Sequence, residues 1–102
     1  MIRNMSELIS TDALRTMALA GAIDQAVVAA QADGSYVLRV RAGSAVRTLG
    51  AKRGGARRYS KIDTAAQHLA ALGLRRAELD LGELQVDGTT LVTRGRQQRL
   101  AL

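Results

Sequence analysis

Along the 102-residue chain the apolar positions change their period several times, and each change marks an element. Leu8, Ile9, Ala13, Leu14, Met17 and Ala18 recur at three- and four-residue steps, the spacing of one helix face. This predicts a first helix over Ser6–Ala20, or one starting at Ser10-Thr11-Asp12, with Gly21 as its C-terminal cap. The run from Ala22 to Gln31 carries the β-branched pair Val27-Val28 and leads into Asp33-Gly34, a dipeptide that closes hairpins. Tyr36, Leu38 and Val40 then alternate with Val37, Arg39 and Arg41, the pattern of a strand with an apolar inner face, which takes Tyr36, and a basic outer one.

Ala42-Gly43-Ser44 predicts a second turn, and Ala45–Ala51 a third strand with Arg47 exposed. Lys52 to Arg58, KRGGARR, is too charged and glycine-rich for a core and reads as a mobile loop projecting from the end of the sheet. A short strand is expected at Arg58-Tyr59. Ser60-Lys61-Ile62-Asp63 fits a capping box, and Ile62, Ala65, Ala66, Leu69, Ala70 and Leu72 form one helical stripe that Gly73 stops. Ala77, Leu79 and Leu81 alternate with Arg76, Glu78 and Asp80, predicting another strand.

A small hairpin is expected around Asp87-Gly88, followed by the basic stretch Arg94–Arg99. The expected fold is α+β: an antiparallel meander of three to five strands with an N-terminal helix and one helix packed across the sheet. Residues 1–82 are expected to form one domain, and residues 83–102 a short hairpin or partly ordered basic tail.

The apolar fraction is 47%, but only two Tyr and no Phe or Trp supply aromatic bulk. So small and aromatic-poor a core predicts a homodimer that covers leftover apolar surface. The absence of cysteine excludes disulfides, cysteine-based zinc sites and thiol nucleophiles. No stretch approaches the ~18 apolar residues of a membrane span, and the first residues lack a signal-peptide pattern. A soluble, cytoplasmic protein is expected, with no membrane partner.

Charge changes the picture most. The formal net charge is +6, and from Gly34 to Ile62 there is no acidic residue while Arg39, Arg41, Arg47, Lys52, Arg53, Arg57, Arg58 and Lys61 all fall within the window. Such clustering is the footprint of a surface that meets a polyanion, although cations on exposed strands also serve simply to block edge pairing. If the register follows the alternation, Arg39, Arg41 and Arg47 share one sheet face. Lys52, Arg53, Arg57 and Arg58 then lie on an adjacent loop whose glycines let the backbone approach phosphates.

Duplex DNA is the favoured partner, bound with weak sequence specificity. No helix-turn-helix is present to read a groove, and single-strand recognition wants more aromatic platforms than Tyr36 and Tyr59. His68, the sole histidine, has no partner at the spacing a metal site or catalytic base needs, and is expected to face solvent. Asp80, Glu83 and Asp87 offer too few convergent oxygens for a hard cation. GAKRGGA lacks the Lys-Ser/Thr pair of a phosphate-binding loop. No catalytic residue, cofactor or metal is expected, and the chain reads as a non-enzyme.

Four stretches carry a resemblance to a known family: LRTMALAGAIDQAVV, GSYVLRVRAG, VRTLGAKRGGARRYSKIDTAAQHLAALGL and RRAELDL. Together they span roughly residues 12 to 81, and in order and spacing they are similar to the ParC family of plasmid partition-associated proteins, which is distinct from the topoisomerase subunit of that name. The chain departs from the family's pattern in having Tyr36 where tryptophan is frequent, and in its tail after Gly82.

The resemblance implies a role in plasmid maintenance or its regulation. Combined with the charge, the expectation is a small partition accessory protein that binds DNA through an arginine-rich hairpin and loop. The alternative is an interaction module whose basic face docks an acidic protein, such as a plasmid-encoded partner.

Overall fold

The computed structural model describes residues 7–84. Its elements are β1 (Glu7–Ile9), α1 (Thr11–Leu19), β2 (Gln25–Ala30), β3 (Tyr36–Ala42), β4 (Ala45–Leu49), α2 (Ile62–Ala71) and β5 (Glu78–Asp80). The fold is α+β, but the sheet is mixed: in the order β1-β4-β3-β2-β5 the central pairs are antiparallel, while β1 pairs with β4 and β5 with β2 in parallel. This corrects the purely antiparallel meander. Both edge strands follow or precede a helix, and a helical crossover is what returns a chain parallel to an earlier strand. The hairpin expected at Asp87-Gly88 and the basic tail lie outside the described residues.

The central hairpin forms as its sequence directs. β2 pairs in register with β3 from Gln25 opposite Arg41 to Ala30 opposite Tyr36, and the intervening turn is held by the Asp33 carboxylate, which accepts from the Ser35 backbone at 2.9 Å and its hydroxyl at 2.6 Å. Helix α1 starts at Ser10, whose hydroxyl accepts the Ala13 N–H at 3.1 Å, so the later of the two expected starts is the real one. Glu7–Ile9 is a strand and not a first helical turn. At the far end the Gly21 and Ala22 N–H groups bond back to Ala18 and Met17 at 3.1 and 2.9 Å.

Helix α2 begins without the expected capping box. Its N-cap is Lys61, and no side chain caps it. The helix is instead held by its buried stripe, Ala65 and Leu69, with Leu72 at its end.

Both helices pack on one sheet face, where Leu14, Ala65, Leu69 and Leu72 meet Ile9, Ala26, Val28, Leu38, Val40 and Leu49, with Tyr59 closing one end. Tyr36 is partly buried against this cluster, as its alternation indicates. No described helix covers the other face, which carries Leu8, Val27, Val37, Arg39, Arg41 and Val46. Among the described residues no helix is long and apolar enough to cross a membrane.

Candidate functional site

The basic residues of the central window separate into three groups. Arg39 and Arg41 lie on the helix-free face, Arg39 facing Thr48 and Arg41 facing Val46 across the β3–β4 ladder. Arg47 faces Val40 and therefore belongs to the opposite, helix-bearing side, where it is ion-paired with Glu7. This corrects the expectation that the three arginines share a face. The connecting turn, Gly43-Ser44, has two residues, so even positions of β3 meet odd positions of β4, and a one-residue difference in register turns every side chain to the other face. Arg41 is further occupied: its guanidinium donates to the Gly43 carbonyl at 3.1 Å and lies 3.9 Å from Asp24, whose carboxylate accepts the Gly43 N–H at 2.7 Å.

The third group gathers at one end of the sheet. After β4 the chain turns at Ala51–Gly55, where the Ala51 and Gly54 N–H groups bond to Gly55 and Ala51 carbonyls at 2.9 and 3.1 Å. It then returns through a bridge between Gly50 and Ala56 and another between Tyr36 and Tyr59. The KRGGARR stretch is thus a hydrogen-bonded turn with an extended return. It places exposed Lys52 and Arg53 at the tip, with Arg57, Arg58 and Lys61 along the way back.

Arg58 is bound to the hairpin turn, with its guanidinium 3.4 Å from the Asp33 carboxylate and 3.1 Å from the Ser35 hydroxyl. The Asp33 carboxyl is held below its usual range by its bonds from Ser35 and by the Arg58 charge. Lys52, Arg53, Arg57 and Lys61 make no ion pair among the described residues. Both helices start at this same end, α1 directly after Ile9, which pairs with Leu49, and α2 shortly after Tyr59. Their positive dipole ends therefore add to the field of the free cations.

A cleft of about 620 Å³ opens beneath the turn, between the start of α1 and the side of α2. Ile9, Asp12, Ala51, Lys52, Arg57 and His68 are among its walls. Arg57 stacks over Tyr59, the guanidinium carbon 5.2 Å from the ring centroid, and the Tyr59 hydroxyl is hydrogen-bonded to His68 Nδ1. Burial raises the Tyr59 pKa and lowers that of His68, with the Arg57 and Arg15 charges pushing His68 the same way. The phenol thus keeps its proton and the imidazole is neutral at neutral pH.

Sequence reasoning placed His68 in solvent and without partners, whereas it is partly buried and linked to Tyr59. The signal was the pairing of an aromatic at the end of a return strand with a helix position two turns further on, and no local period reveals it. Among the described residues no three His, Cys, Asp or Glu side chains are grouped to hold a metal ion. Asp80 instead accepts the Gly82 N–H at 2.9 Å.

A family model described as ParC-like matches residues 9–84, from the end of β1 to just past β5. The chain belongs to the ParC-like family. No curated protein and no solved structure matches it. The family match covers both helices and every strand but most of β1, and it includes the Ala51–Gly55 turn and the cleft walls from Ile9 onward.

Proposed function

We propose that this chain is a small basic accessory protein of plasmid partition or maintenance, acting in the cytoplasm, that binds duplex DNA through the cationic end of its sheet. The plasmid context rests on the resemblance to the ParC family, and the polyanion rests on charge and geometry. One observation carries it: Lys52, Arg53, Arg57 and Lys61 converge on a single end of the sheet without carboxylate partners among the described residues. Arg58 lies beside them, partly engaged by Asp33. Cations at a turn and at helix starts suit phosphate contacts, which fix a protein on DNA without reading bases, so weak sequence preference follows.

Arg39 and Arg41 take a secondary part on the helix-free face, and Arg47 takes none while Glu7 neutralises it. Half-exposed Leu8 and Val46 on that same face support a homodimer. Sedimentation equilibrium giving a monomer at high concentration removes the dimer from this reading.

Fluorescence anisotropy with random blunt duplexes carrying 5′-hydroxyl ends tests the central claim. The expected Kd lies in the range of about 10⁻⁴–10⁻⁶ M at physiological salt, weakening steeply as salt rises. Lys52→Ala, Arg53→Ala and Lys61→Ala should each lower the salt slope by about one, equally on all sequences. Arg47→Ala should leave it unchanged. Affinity weaker than about 100 μM would overturn duplex binding and leave the docking of an acidic protein by the same surface as the better reading.

A further inference from the structure

We propose that the cleft between the start of α1, the Ala51–Gly55 turn and His68 binds a phosphomonoester, the group shared by a free nucleotide and the 5′-phosphorylated end of a nucleic-acid strand. The volume of about 620 Å³ lies within the size range of small-ligand sites and suits one nucleotide-sized group. Apolar walls from Ile9 and Ala51 lie beside three donors drawn from different segments: the Lys52 ammonium, the Arg57 guanidinium and the His68 imidazole. A phosphomonoester presents three terminal oxygens and close to two negative charges at neutral pH, whereas an internal phosphodiester offers two free oxygens and one charge. Three separate donors match the monoester.

Two of those donors are oriented before any ligand arrives. The Tyr59 ring under Arg57 limits where the guanidinium goes, leaving its planar edge for bidentate contact with phosphate oxygens. The Tyr59 hydroxyl occupies His68 Nδ1, and with the phenol donating, the imidazole proton sits on Nε2 as a further donor. The one carboxylate on the wall, Asp12, is met by Arg15 at 3.4 Å. The site shares Lys52 and Arg57 with the duplex-binding surface but needs neither Arg53 nor Lys61.

The test is an amide and histidine-ring NMR titration of the full chain. The probes are inorganic phosphate, thymidine monophosphate, and a short single strand prepared with a 5′-phosphate and with a 5′-hydroxyl. Phosphate should shift Ala51, Lys52 and the His68 ring, and Lys52→Ala, Arg57→Gln and His68→Asn should each weaken it about tenfold, the loss of one charge-assisted bond. Arg53→Ala should leave it unchanged. Lys52 is on an exposed turn, so its replacement keeps the test valid if either other variant fails to fold.

Tighter binding of the phosphorylated strand than of its hydroxyl twin identifies strand ends as the source; tighter binding of the monophosphate identifies free nucleotides. Shifts spread evenly over Arg39, Arg41 and Arg58 and insensitive to Lys52→Ala would overturn the site. Normal binding of 5′-hydroxyl duplexes with no phosphate response sinks the cleft alone, and the reverse outcome sinks the duplex reading alone.

Discussion

Arg57 and Tyr59 lie two positions apart on an extended return segment, so their side chains share a face and the guanidinium settles 5.2 Å from the ring centroid. Tyr59 itself is only 4% exposed, so the cation stacks on a ring that the core already fixes. Replacement by lysine keeps the charge but loses the planar stack, and replacement by alanine loses both. Arg57→Ala should destabilise the fold by about 0.5–1 kcal/mol, as for a cation–π pair near the surface. Arg57→Lys should retain most duplex affinity yet recover only part of that stability. Urea denaturation beside anisotropy separates the two effects.

The Tyr59 hydroxyl gives a second test, because it is the polar end of a buried residue and its partner is a single histidine. Tyr59→Phe keeps the ring and the Arg57 stack while leaving His68 Nδ1 without its partner. A cost of about 1 kcal/mol is expected, the net worth of one hydrogen bond. Tyr59→Ala should cost about 3–5 kcal/mol through the cavity left between Leu49 and α2, and equal losses for the two would mean that the hydroxyl dominates.

His68 sets a pH dependence whose sign follows from its lowered pKa, caused first by burial and then by the Arg57 and Arg15 charges. In the unfolded chain the ring gains its proton at about pH 6.5, and in the folded chain only at lower pH. Protonation therefore favours unfolding, so the His68 contribution is complete above about pH 6.5 and is lost as pH falls below it toward the folded value. Stability measured through this window should decline in the parent chain and decline less in His68→Gln. The ring's own NMR titration should move upward in Arg57→Gln, since a repelling charge is gone. A titration that stays in place would show that Arg57 does not act on the ring.

These sites differ in how visible they are in the residues themselves. The β2–β3 hairpin is legible because alternation and the Asp33-Gly34 turn are both local, and α2 is legible from its stripe even though its cap is absent. β1 is hidden because Glu7-Leu8-Ile9 is too short to show a period of two and merges with the helical steps of α1. Its parallel pairing with β4, and that of β5 with β2, depend on contacts far apart in the chain that no local pattern encodes. The cation cluster at the sheet end follows from composition, but the division of Arg47 from Arg39 and Arg41 turns on the length of one turn. His68 and Tyr59 meet only through tertiary packing.

The turn that carries Lys52 and Arg53 provides the last prediction. Gly54 and Gly55 have φ of +97° and +69°, consecutive left-handed residues that fold the tip back so that Ala51 can bond to Gly55. Nothing lies within 4 Å of where a Cβ would stand at either position, so a substitution is opposed by backbone conformation and not by collision. Gly54→Ala and Gly55→Ala should each cost about 1–2 kcal/mol, the penalty of a left-handed backbone for an L-residue. If the tip holds the cations in place for phosphates, duplex affinity should fall as well, although no charge has been removed. Unchanged affinity beside reduced stability would mean that Lys52 and Arg53 act as untethered charges whose placement does not matter.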